Sequence, residues 1–434
     1  MITCELHVIF AGVILTMESW PLLTLEEAGI TLYDCVHDTP KIAESDYPWI
    51  SIPEMKNGFL DFASARTISE EDFTKWTKGV LPQRDDVVIS RRANPGVNAP
   101  VLDNTPFALG QNLIILRADG TKVLPEFLQI LISSYHWDNQ VFSFINTGAV
   151  FESLTCNDIQ YNMRLPIPSK TIQREIIKFI HPIDSVIEMH NPISKTLSDC
   201  ISSIFRSWFI DFDPVKSKAG GKLPHGMDVD TAALFPDSFV ESEFGQIPVG
   251  WVVKEMTTDF EFQKGFEPGR NNCNEEQIGT QFLRVGDLTG SSSAPLYVET
   301  SDGPFAEIGD TLSTFDGTPG HSTILKKGYF SSGIRKIIPL NNNIQSWFPH
   351  YLVNTPKNQW TIIAYSTGTT ILHASSAIQQ LKWVYPGEEI INAFQDFIDP
   401  VVTRLIGVSK EQLHYANLRD ALLTRLMSGE LSVS

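Results

Sequence analysis

Two hydrophobic patterns alternate along this chain and predict two kinds of structure. In the first pattern, short aliphatic runs are separated by clusters of Gly, Pro, Asn and Asp, which is typical of short β-strands joined by turns. It covers residues 17–168 and again residues 251–387. The clearest runs are Val87 to Ser90, Leu113 to Leu116, Phe282 to Val285 and Lys336 to Pro339. One helical stretch interrupts each region, Pro125 to Phe144 in the first and Trp347 to Ala364 in the second.

The second pattern is a helical heptad that follows each of these regions, over residues 169–212 and 388–434. Its apolar positions recur at steps of three and four, which predicts a coiled-coil seam. In the first stretch they are Ile172, Ile176, Phe179, Ile183, Ile187, His190, Ile193, Leu197, Cys200, Ile204 and Trp208. In the second they are Ile390, Phe394, Phe397, Val401, Leu405, Val408, Tyr415, Leu418, Leu422 and Leu426.

Two such helices in one chain most simply pair with each other. The predicted fold class is therefore α+β, with two globular domains joined by two long antiparallel coiled-coil helices. The alternative is that each helix packs only on its own domain. An interior proline removes a backbone donor and clashes with the preceding turn. Asn191 and Pro192 are accordingly predicted as the N-cap and first residue of a restarted helix, with a kink near residue 190.

The two globular regions are also related to each other in sequence. Asp86, Pro95 and Gly96 return with identical spacing 224 residues later, as Asp310, Pro319 and Gly320. Further matches follow in the same order: Gly110 with Gly333, Thr147-Gly148 with Thr367-Gly368, Pro166 with Pro386, and Phe179-Ile180-x-Pro182 with Phe397-Ile398-x-Pro400. A period this long indicates duplicated domains rather than solenoid units. Two copies of a domain predict two similar ligand sites.

Length and composition indicate the number of domains and the cellular compartment. A chain of 434 residues is expected to form two or three domains. Its five scattered cysteines, which form no C-x-x-C pair, favour a reducing, cytoplasmic setting. The apolar run at residues 6–15 lacks a basic flank and is too short to cross a bilayer, so we expect no membrane association. Because this run precedes the repeat unit, Met17 is a candidate for the true start, with Met1 as the alternative. The predicted division is 1–16 leader, 17–168 first domain, 169–212 central helix, 213–250 connector, 251–387 second domain and 388–434 C-terminal helix.

Three strings outside the repeats carry a family resemblance. They read S-W-F-I-D-F-D-P-V-K from Ser207, T-A-A-L-F-P-D-S-F from Thr231 and I-P-V-G-W from Ile247, and the chain closes on L-L-T-R-L-M-S-G-E-L from Leu422. Around a duplicated domain plus helix, this order resembles the specificity subunit of type I restriction-modification enzymes. The resemblance runs over nearly the whole chain from Trp20 onward.

The resemblance implies a function without catalysis. Each globular part would be a target recognition domain that reads one half of a split, asymmetric sequence in double-stranded DNA, and the helices would be conserved spacers. The partners would be two methyltransferase subunits and, through them, two restriction (helicase-nuclease) subunits. This chain would hold no cofactor, and S-adenosylmethionine, ATP and Mg would be bound by the partner subunits.

The chemistry missing from the sequence agrees with a binding subunit. There is no G-x-x-x-x-G-K-[ST] phosphate loop and no N-P-P-[YF] or D-P-P-[YF] methyltransferase string. Asp213-Pro214-Val215 is interpreted as an exit turn after a helix. His37, His321 and His373 do not follow a recognised ligand spacing, so no metal site is expected.

The candidate DNA-binding residues of the first domain lie in loops. Arginine offers a bidentate fork to guanine and asparagine a matching pair to adenine. Arg91, Arg92 and Asn94 lie with Ser90 at a strand exit, and Gln111 and Asn112 enter the next strand. Thr147 precedes a glycine that would let backbone amides approach a phosphate. His37, Thr39 and Lys41 form a further polar loop.

The second domain carries different residues at the equivalent places, which predicts a different half-site. The candidates are Thr314, Asp316 and Thr318 in the first loop, Arg335 and Lys336 in the next strand, Thr367 and Thr369 in the third loop, and Lys264 and Arg270 near the domain start. For each residue alone, a turn or a solvated surface is the competing interpretation.

The net charge is an observation against DNA recognition, and two other functions remain as alternatives. The charge of −18 at pH 7 is unfavourable for meeting a polyanion, so we expect DNA binding to depend on a partner's positive surface. The acidic balance favours a protein-binding scaffold or orphan paralogue as the alternative. A single-chain restriction nuclease is the other alternative, and cleavage by the isolated chain would support it.

Overall fold

The computed structural model describes residues 20–431 except 57, 147–151, 270–271, 275–277, 291–294, 300–301 and 370–371. The predicted leader and Met17 lie outside the described residues. The chain divides into two compact units, Met1–Val186 with Tyr415–Ser434 (unit 1) and Ile187–His414 (unit 2). Among the described residues, no helix is both long and apolar enough to cross a membrane.

Unit 1 holds the first repeat. Its strands are β1 (Leu22–Thr24), β2 (Ile30–Asp34), β3 (Pro48–Ile50), β4 (Met55–Lys56), β5 (Phe59–Leu60), β6 (Arg66–Thr67), β7 (Val87–Ser90), β8 (Asn98–Pro100), β9 (Ala108–Leu109), β10 (Leu113–Ala118) and β11 (Arg164–Pro166). Its short helices are α1 (Glu70–Trp76), α2 (Pro125–Ile132) and α3 (Tyr135–Phe144).

The core of unit 1 forms on a four-stranded antiparallel sheet in the order β2-β10-β7-β8. The strands are buried on both faces, as β7 illustrates with four buried residues in a row. One face carries Ile89, Ile114 and Leu116 against helices α2 and α3, through Phe127, Leu131 and Trp137 among others. The opposite face carries Val88 and Ile115 against a smaller cluster around Phe107. Continuous apolar runs without alternation are the expected pattern for such strands.

Unit 2 holds the second repeat and the connector. Its strands are β12 (Phe239–Ser242), β13 (Gly245–Pro248), β14 (Val252–Glu255), β15 (Phe260–Lys264), β16 (Thr280–Leu283), β17 (Leu296–Val298), β18 (Phe305–Ala306), β19 (Thr311–Thr314), β20 (Asp316–Gly317), β21 (Ser322–Thr323), β22 (Gly328–Phe330), β23 (Ile334–Pro339), β24 (Leu372–His373) and β25 (Lys382–Tyr385). Its short helices are α5 (Asp213–Ala219), α6 (Val229–Leu234), α7 (Met256–Asp259), α8 (Val285–Thr289), α9 (Phe348–Val353) and α10 (Pro356–Ala364).

The central sheet of unit 2 repeats the one in unit 1. Its order is β15-β23-β19-β21, antiparallel throughout, so each strand has a counterpart at the same place in β2-β10-β7-β8. The match extends to single hydrogen bonds: Gly96 N donates to Ser90 O, and Gly320 N to Thr314 O, both at 2.9 Å. The duplication predicted from the sequence is therefore confirmed as a duplication of fold.

Each predicted helical stretch is a pair of helices rather than one. The first breaks at Ser133-Ser134 between α2 and α3, and the second at Asn354-Thr355 between α9 and α10. The Thr355 side chain caps α10 by accepting a hydrogen bond from Asn358 N, and Pro356 occupies its first turn. Hydroxyl N-caps and a following proline start a new helix more readily than they continue an old one.

The two long helices are α4 (Lys170–Phe209) and α11 (Glu388–Met427), each of 40 residues. In unit 1, Asp184 of α4 pairs with Arg419 of α11 at 3.5 Å. In unit 2, the Asn191 side-chain oxygen accepts a 2.6 Å hydrogen bond from Gln412, and Phe205 packs with Phe394. Later positions on α4 thus meet earlier positions on α11, so the helices run antiparallel. The predicted α+β class, with two repeated domains and two long antiparallel helices, is confirmed.

The predicted helix restart at Pro192 is wrong, because α4 continues through it. Asn191 does not act as an N-cap, since its side chain bonds to Gln412 instead. Proline removes a backbone donor, but packing against a second helix over many turns outweighs that local loss.

The predicted seam is shifted at several positions. Phe179, Cys200 and Phe397 are exposed, whereas their neighbours Ile180, Ile201 and Ile398 are buried. Where two apolar residues are adjacent, a heptad count cannot tell which one faces the partner, because 3.6 residues per turn drifts against a seven-residue repeat. The matched pair Ile180 and Ile398 nevertheless keeps its equivalence, with exposed fractions of 1% and 0%.

The connector is built on an aromatic core. Trp208 packs edge-on to Phe235 at 5.2 Å between ring centroids, and Phe212 packs edge-on to Trp251 at 5.6 Å. Asp213 to Val215, interpreted above as an exit turn, instead begin α5, and the turn lies just before them at Phe212, whose φ is 54°. Proline at the start of a helix is favourable, because its missing N–H would have no partner there.

Candidate nucleic-acid interface

The predicted site residues gather at one edge of each central sheet, here called the site edge. In unit 1 it is the edge where β2 ends at Asp34, β7 ends at Ser90 and β10 begins at Leu113. In unit 2 the same edge is formed by Lys264, Thr314 and Ile334. Because neighbouring strands are antiparallel, segments far apart in sequence meet there. The gathering of candidates from three loops onto one edge was not evident from any single motif.

The turn after β7 presents Arg92 to solvent. Ser90 Oγ donates a 2.8 Å hydrogen bond to Arg92 O, which closes the turn from inside. Gly96 has φ of 90°, and an added Cβ would meet Val141 at 2.8 Å, so glycine is required there. Arg92 is exposed, and no hydrogen bond or ion pair holds its guanidinium among the described residues. Of the arginines in this loop, it is the one available to a ligand.

Arg91 lies in a different environment, facing inward. Its guanidinium is buried, with Nη2 at 3.4 Å from Asp34 Oδ1 and Nη1 at 3.5 Å from Leu154 O. The backbone also fixes it, since Arg91 N donates to Asn112 O at 2.8 Å and Leu154 N donates to Arg91 O at 2.9 Å. This placement favours a role in joining three loops over direct base contact.

The remaining candidates of unit 1 border the same turn. Gln111 Nε2 donates to Thr39 Oγ1 at 3.1 Å, which links the loop before β10 to the loop after β2. Asn112 has φ of 69°, a left-handed conformation that asparagine tolerates. Lys41 is exposed, with its backbone N–H donating to Asp72 at 3.2 Å. Asn94 is half-buried within the turn.

Unit 2 repeats the backbone of this edge. Phe315 N donates to Gly333 O at 2.9 Å, as Arg91 N does to Asn112 O, and Ala374 N donates to Phe315 O at 2.7 Å, as Leu154 N does to Arg91 O. Thr314 Oγ1 donates to Thr318 O at 2.6 Å, in the place of the Ser90 bond. The buried Arg91 is thus replaced by a buried phenylalanine on the same frame.

The polar side chains of unit 2 form a separate cluster around Asp316. His373 Nδ1 lies 3.0 Å from Asp316 Oδ1, and Arg335 Nη2 donates to Ser375 Oγ at 2.8 Å with Asp316 Oδ2 at 3.9 Å. Arg335 is buried, which lowers the pKa of its guanidinium while Asp316 opposes that shift. Like Arg91, Arg335 is held by its own chain, and Asp316 and His373 are the members nearer the solvent.

Three further candidates of unit 2 are exposed, and one is not. Lys264, Thr318 and Thr369 are exposed near the edge. Lys336 is directed away from it, with Nζ at 2.6 Å from Asp310 and donating to Phe305 O at 3.1 Å. Lys336 therefore supports the fold of β19 and β23 rather than presenting a charge to a ligand.

Two candidates, Thr147 and Arg270, lie outside the described residues. The predicted match of Thr147 with Thr367 is shifted by one residue. Asn146 N donates to Ser153 O at 2.9 Å, and Thr367 N donates to His373 O at 2.9 Å, so Thr367 corresponds to Asn146. The intervening loop is one residue longer in unit 1, which a comparison of letters alone does not register.

Comparisons with known proteins agree with this architecture. The family profile described as "Type I restriction modification DNA specificity domain" matches residues 37–198. Over 384 residues the chain is 23% identical to the type I restriction enzyme HindI specificity subunit of Haemophilus influenzae, covering 76% of this chain and 82% of that protein. It is 23% identical over 441 aligned positions to the MjaIX specificity subunit of Methanocaldococcus jannaschii, covering 96% and 94%.

Residues 37–198 match the specificity domain of type I restriction enzymes, and the chain is similar over most of its length to type I specificity subunits. Among solved structures, the type I restriction-modification S subunit from M. genitalium aligns over 94% of this chain and 96% of its own, at 15% identity and a TM-score of 0.44. Because this superposition is loose, the similarity to specificity subunits rests on the sequence comparisons alone.

Sequence reasoning missed several polar residues at the two site edges. In unit 1 they are Asp34, Cys35 and Cys156, and in unit 2 His373 and Ser375. Cys156 Sγ lies 3.4 Å from Asp34 Oδ2, and one ligand atom from each of Asp34, Cys35 and His37 lies within 4.8 Å of the other two. Burial raises the pKa of the Cys156 thiol to about 11 and raises that of Cys35 as well. The closeness of Asp34, Cys35 and His37 in sequence was the signal available.

Proposed function

We propose that this chain is the DNA sequence-specificity subunit of a type I restriction-modification complex and reads a bipartite, asymmetric target in double-stranded DNA. The site edge of each unit reads one half of the target. The paired helices α4 and α11 set the gap between the halves. The chain performs no catalysis itself and holds neither S-adenosylmethionine nor ATP nor Mg.

The observation that carries this proposal is one backbone frame with two sets of side chains. The hydrogen bonds at Ser90 and Thr314, at Arg91 and Phe315, and at Leu154 and Ala374 repeat between the units within about 0.2 Å. The solvent-accessible residues on that frame differ, with exposed Arg92 and half-buried Gln111 in unit 1 against half-buried Asp316 and exposed Thr318 in unit 2. Because base edges are distinguished by donors and acceptors in the groove, different side chains on one frame read different sequences.

The helices supply a spacer that is independent of either frame. A helix of 40 residues is roughly 60 Å long at ~1.5 Å per residue. Two such helices in antiparallel contact resist bending more than a single helix does. They would therefore keep the gap between the two half-sites constant. The site edges therefore determine which bases are read, and the helices determine the gap between the two half-sites.

Two methyltransferase subunits and two restriction subunits complete the proposed complex. A net charge of −18 weakens long-range attraction to DNA, so positive surfaces on the methyltransferase subunits supply the nonspecific part of the affinity. Those subunits bind S-adenosylmethionine and flip an adenine out of each half-site. ATP and Mg belong to the restriction subunits.

Methylome sequencing tests the proposal. Cells lacking other methyltransferases are given the cognate methyltransferase gene with this chain, with an empty vector, or with a chain carrying Arg92→Ala together with Thr318→Ala. The expected result is a split, asymmetric adenine-methylation motif that requires this chain and loses stringency in both halves with the double variant. A stable complex with the methyltransferase but no new motif would refute the function and support the protein-binding scaffold.

A further inference from the structure

We infer that Asp34, Cys35, His37 and Cys156 form a binding site for a thiophilic divalent transition-metal ion such as Zn²⁺, on the site edge of unit 1. The site is built from two segments only: the exit of β2 and the loop that returns after α3. It does not depend on the proposed function.

Three of the four donors form a close cluster, since one ligand atom from each of Asp34, Cys35 and His37 lies within 4.8 Å of the other two, and Cys156 reaches this cluster through Asp34. A tetrahedral zinc site with bonds of 2.0–2.3 Å places its donors roughly 3.3–3.8 Å apart. Here Asp34 Oδ2 lies 3.1 Å from His37 Nε2 and 3.4 Å from Cys156 Sγ, and Cys35 Sγ lies 3.8 Å from His37 Nδ1. Only one imidazole nitrogen can ligate one ion, so the His37 ring, whose side chain is 60% exposed, would give up its contact with either Asp34 or Cys35 when the ion binds. Two thiols, an imidazole and a carboxylate form a donor set that selects zinc over magnesium or calcium.

The backbone brings the fourth donor into place. Leu154 N donates to Arg91 O at 2.9 Å, and Ser153 forms a β-bridge with Arg92, so the segment before Cys156 is fixed to the end of β7. The end of β7 is in turn joined through β10 to β2. Three donors from one strand exit and a fourth from a distant, anchored loop is the arrangement expected of a structural metal site.

Arg91 supplies the charge balance that such a site needs. Asp34 and two thiolates carry three negative charges, which Zn²⁺ and the buried guanidinium neutralise together. Arg91 Nη2 contacts Asp34 Oδ1, the carboxylate oxygen that the ion would leave free, at 3.4 Å. Hydrogen-bonded partners of this kind orient ligating carboxylates. This gives a reason for a buried arginine at a position where unit 2 has phenylalanine.

At the equivalent described positions unit 2 lacks this donor set, so the site is a feature of unit 1 and not of the repeated frame. Strand register places Lys264 at the position of Asp34, and backbone hydrogen bonding places Ser376 at the position of Cys156. Gly265 and Glu267 follow Lys264 in sequence as Cys35 and His37 follow Asp34. A lysine in place of the aspartate would repel a cation.

Cobalt substitution of the purified, reduced full-length chain tests the inference. Co²⁺ is titrated in, thiolate-to-cobalt absorption is recorded, and Zn²⁺ is then added in competition. We expect about one equivalent of Co²⁺, a thiolate charge-transfer band and displacement by Zn²⁺.

Variants assign the signal to this site. His37→Ala, which removes an exposed ligand with little risk to folding, should weaken binding by ~10-fold or more. Cys156→Ser should abolish the charge-transfer intensity of one thiolate, whereas Cys200→Ser and Cys273→Ser should change nothing. Absence of stoichiometric Co²⁺ binding overturns the inference. So does a band that survives in Cys156→Ser and disappears in either control.

Discussion

Arg91 Nη2 lies 3.4 Å from Asp34 Oδ1, in a place where the second repeat buries phenylalanine. The same backbone frame thus closes over a salt bridge in one unit and over an aromatic ring in the other. An arginine at a strand exit was the most attractive base reader in the sequence. Its burial shows that the adjacent residue, Arg92, has the exposed position.

Replacing Arg91 should affect stability before specificity. Arg91→Ala removes a buried guanidinium and leaves Leu154 O and Asp34 without it, which should cost about 1–2 kcal/mol, discounted because Asp34 is 36% exposed. Urea unfolding, followed by tryptophan fluorescence, measures the shift. Arg92→Ala is the matched control and should stay within about 0.5 kcal/mol of the wild type. Equal stability of both variants would remove the structural role from Arg91.

Arg92→Ala should relax one half-site and leave the other unchanged. A bidentate contact to guanine is worth about 1–3 kcal/mol of discrimination. Methylome sequencing would then show lost stringency at one or two positions in a single half of the motif. Arg92→Lys separates two kinds of contact, because lysine replaces a phosphate contact far better than a bidentate one. A uniform loss of methylation across all sites would reassign Arg92 to the DNA backbone.

Asp86 and Asp310, which occupy matching positions in the two repeats, should contribute to folding rather than to DNA recognition. Asp86 is buried, accepts from Gln83 N at 2.9 Å and binds Arg117 through both carboxylate oxygens at 2.7 and 2.6 Å. Asp310 accepts from Glu307 N at 2.9 Å and pairs with Lys336 at 2.6 Å. Asp86→Ala should destabilise the chain by about 3 kcal/mol, since removing one member of a buried pair strands the other. Asp86→Asn, which keeps the turn but weakens the pair, should lose less in the same unfolding assay.

Much of this fold follows from the sequence because the repeated positions are structural. Asp86, Gly96 and Ile180 recur in the second half since each is required by a turn, a close approach or a core contact that both domains share. The connector string is likewise a core, with Trp208 packed on Phe235. Such structural requirements are directly visible in the periodicity and spacing of the sequence.

The candidate site was harder to predict, because tertiary contacts decide which polar residue is exposed. Arg91 and Arg92 are adjacent and chemically alike, yet the Arg91 side chain is buried and the Arg92 side chain is exposed. Lys336 was expected at the interface, but Asp310 draws its ammonium away. Asp34 acquires its neighbour Cys156 only through the pairing of β2, β10 and β7. No local pattern in the sequence encodes these choices.

Acid should destabilise unit 2 through His350. Burial lowers the pKa of His350 to about 4, and its Nδ1 lies 2.9 Å from Ser322 Oγ. The unfolded chain takes up a proton near pH 6.5 while the folded chain does not, so stability is complete above that pH and falls until about pH 4. The loss should reach roughly 2–3 kcal/mol between pH 7 and 4.5. Urea midpoints across this range measure it.

His350→Gln should flatten the acid slope, because glutamine keeps a polar contact and cannot titrate. His225→Gln, at an exposed position in the same unit, is the control and should retain the wild-type slope. A slope that persists in His350→Gln would place the acid sensitivity elsewhere.

Lengthening both long helices by one heptad should widen the gap in the DNA target without altering either half-site. The insertions belong at facing positions, beside Asn191 in α4 and beside Gln412 in α11, which are joined by a 2.6 Å hydrogen bond. Seven residues add about 10.5 Å to each helix, or roughly three base pairs at ~3.4 Å each. Methylome sequencing should therefore report the same bases separated by about three more. Insertion into α4 alone leaves the helices out of register and should abolish methylation. A change in the bases read, with the gap preserved, would mean that the helices shape the site edges and do not act as a spacer.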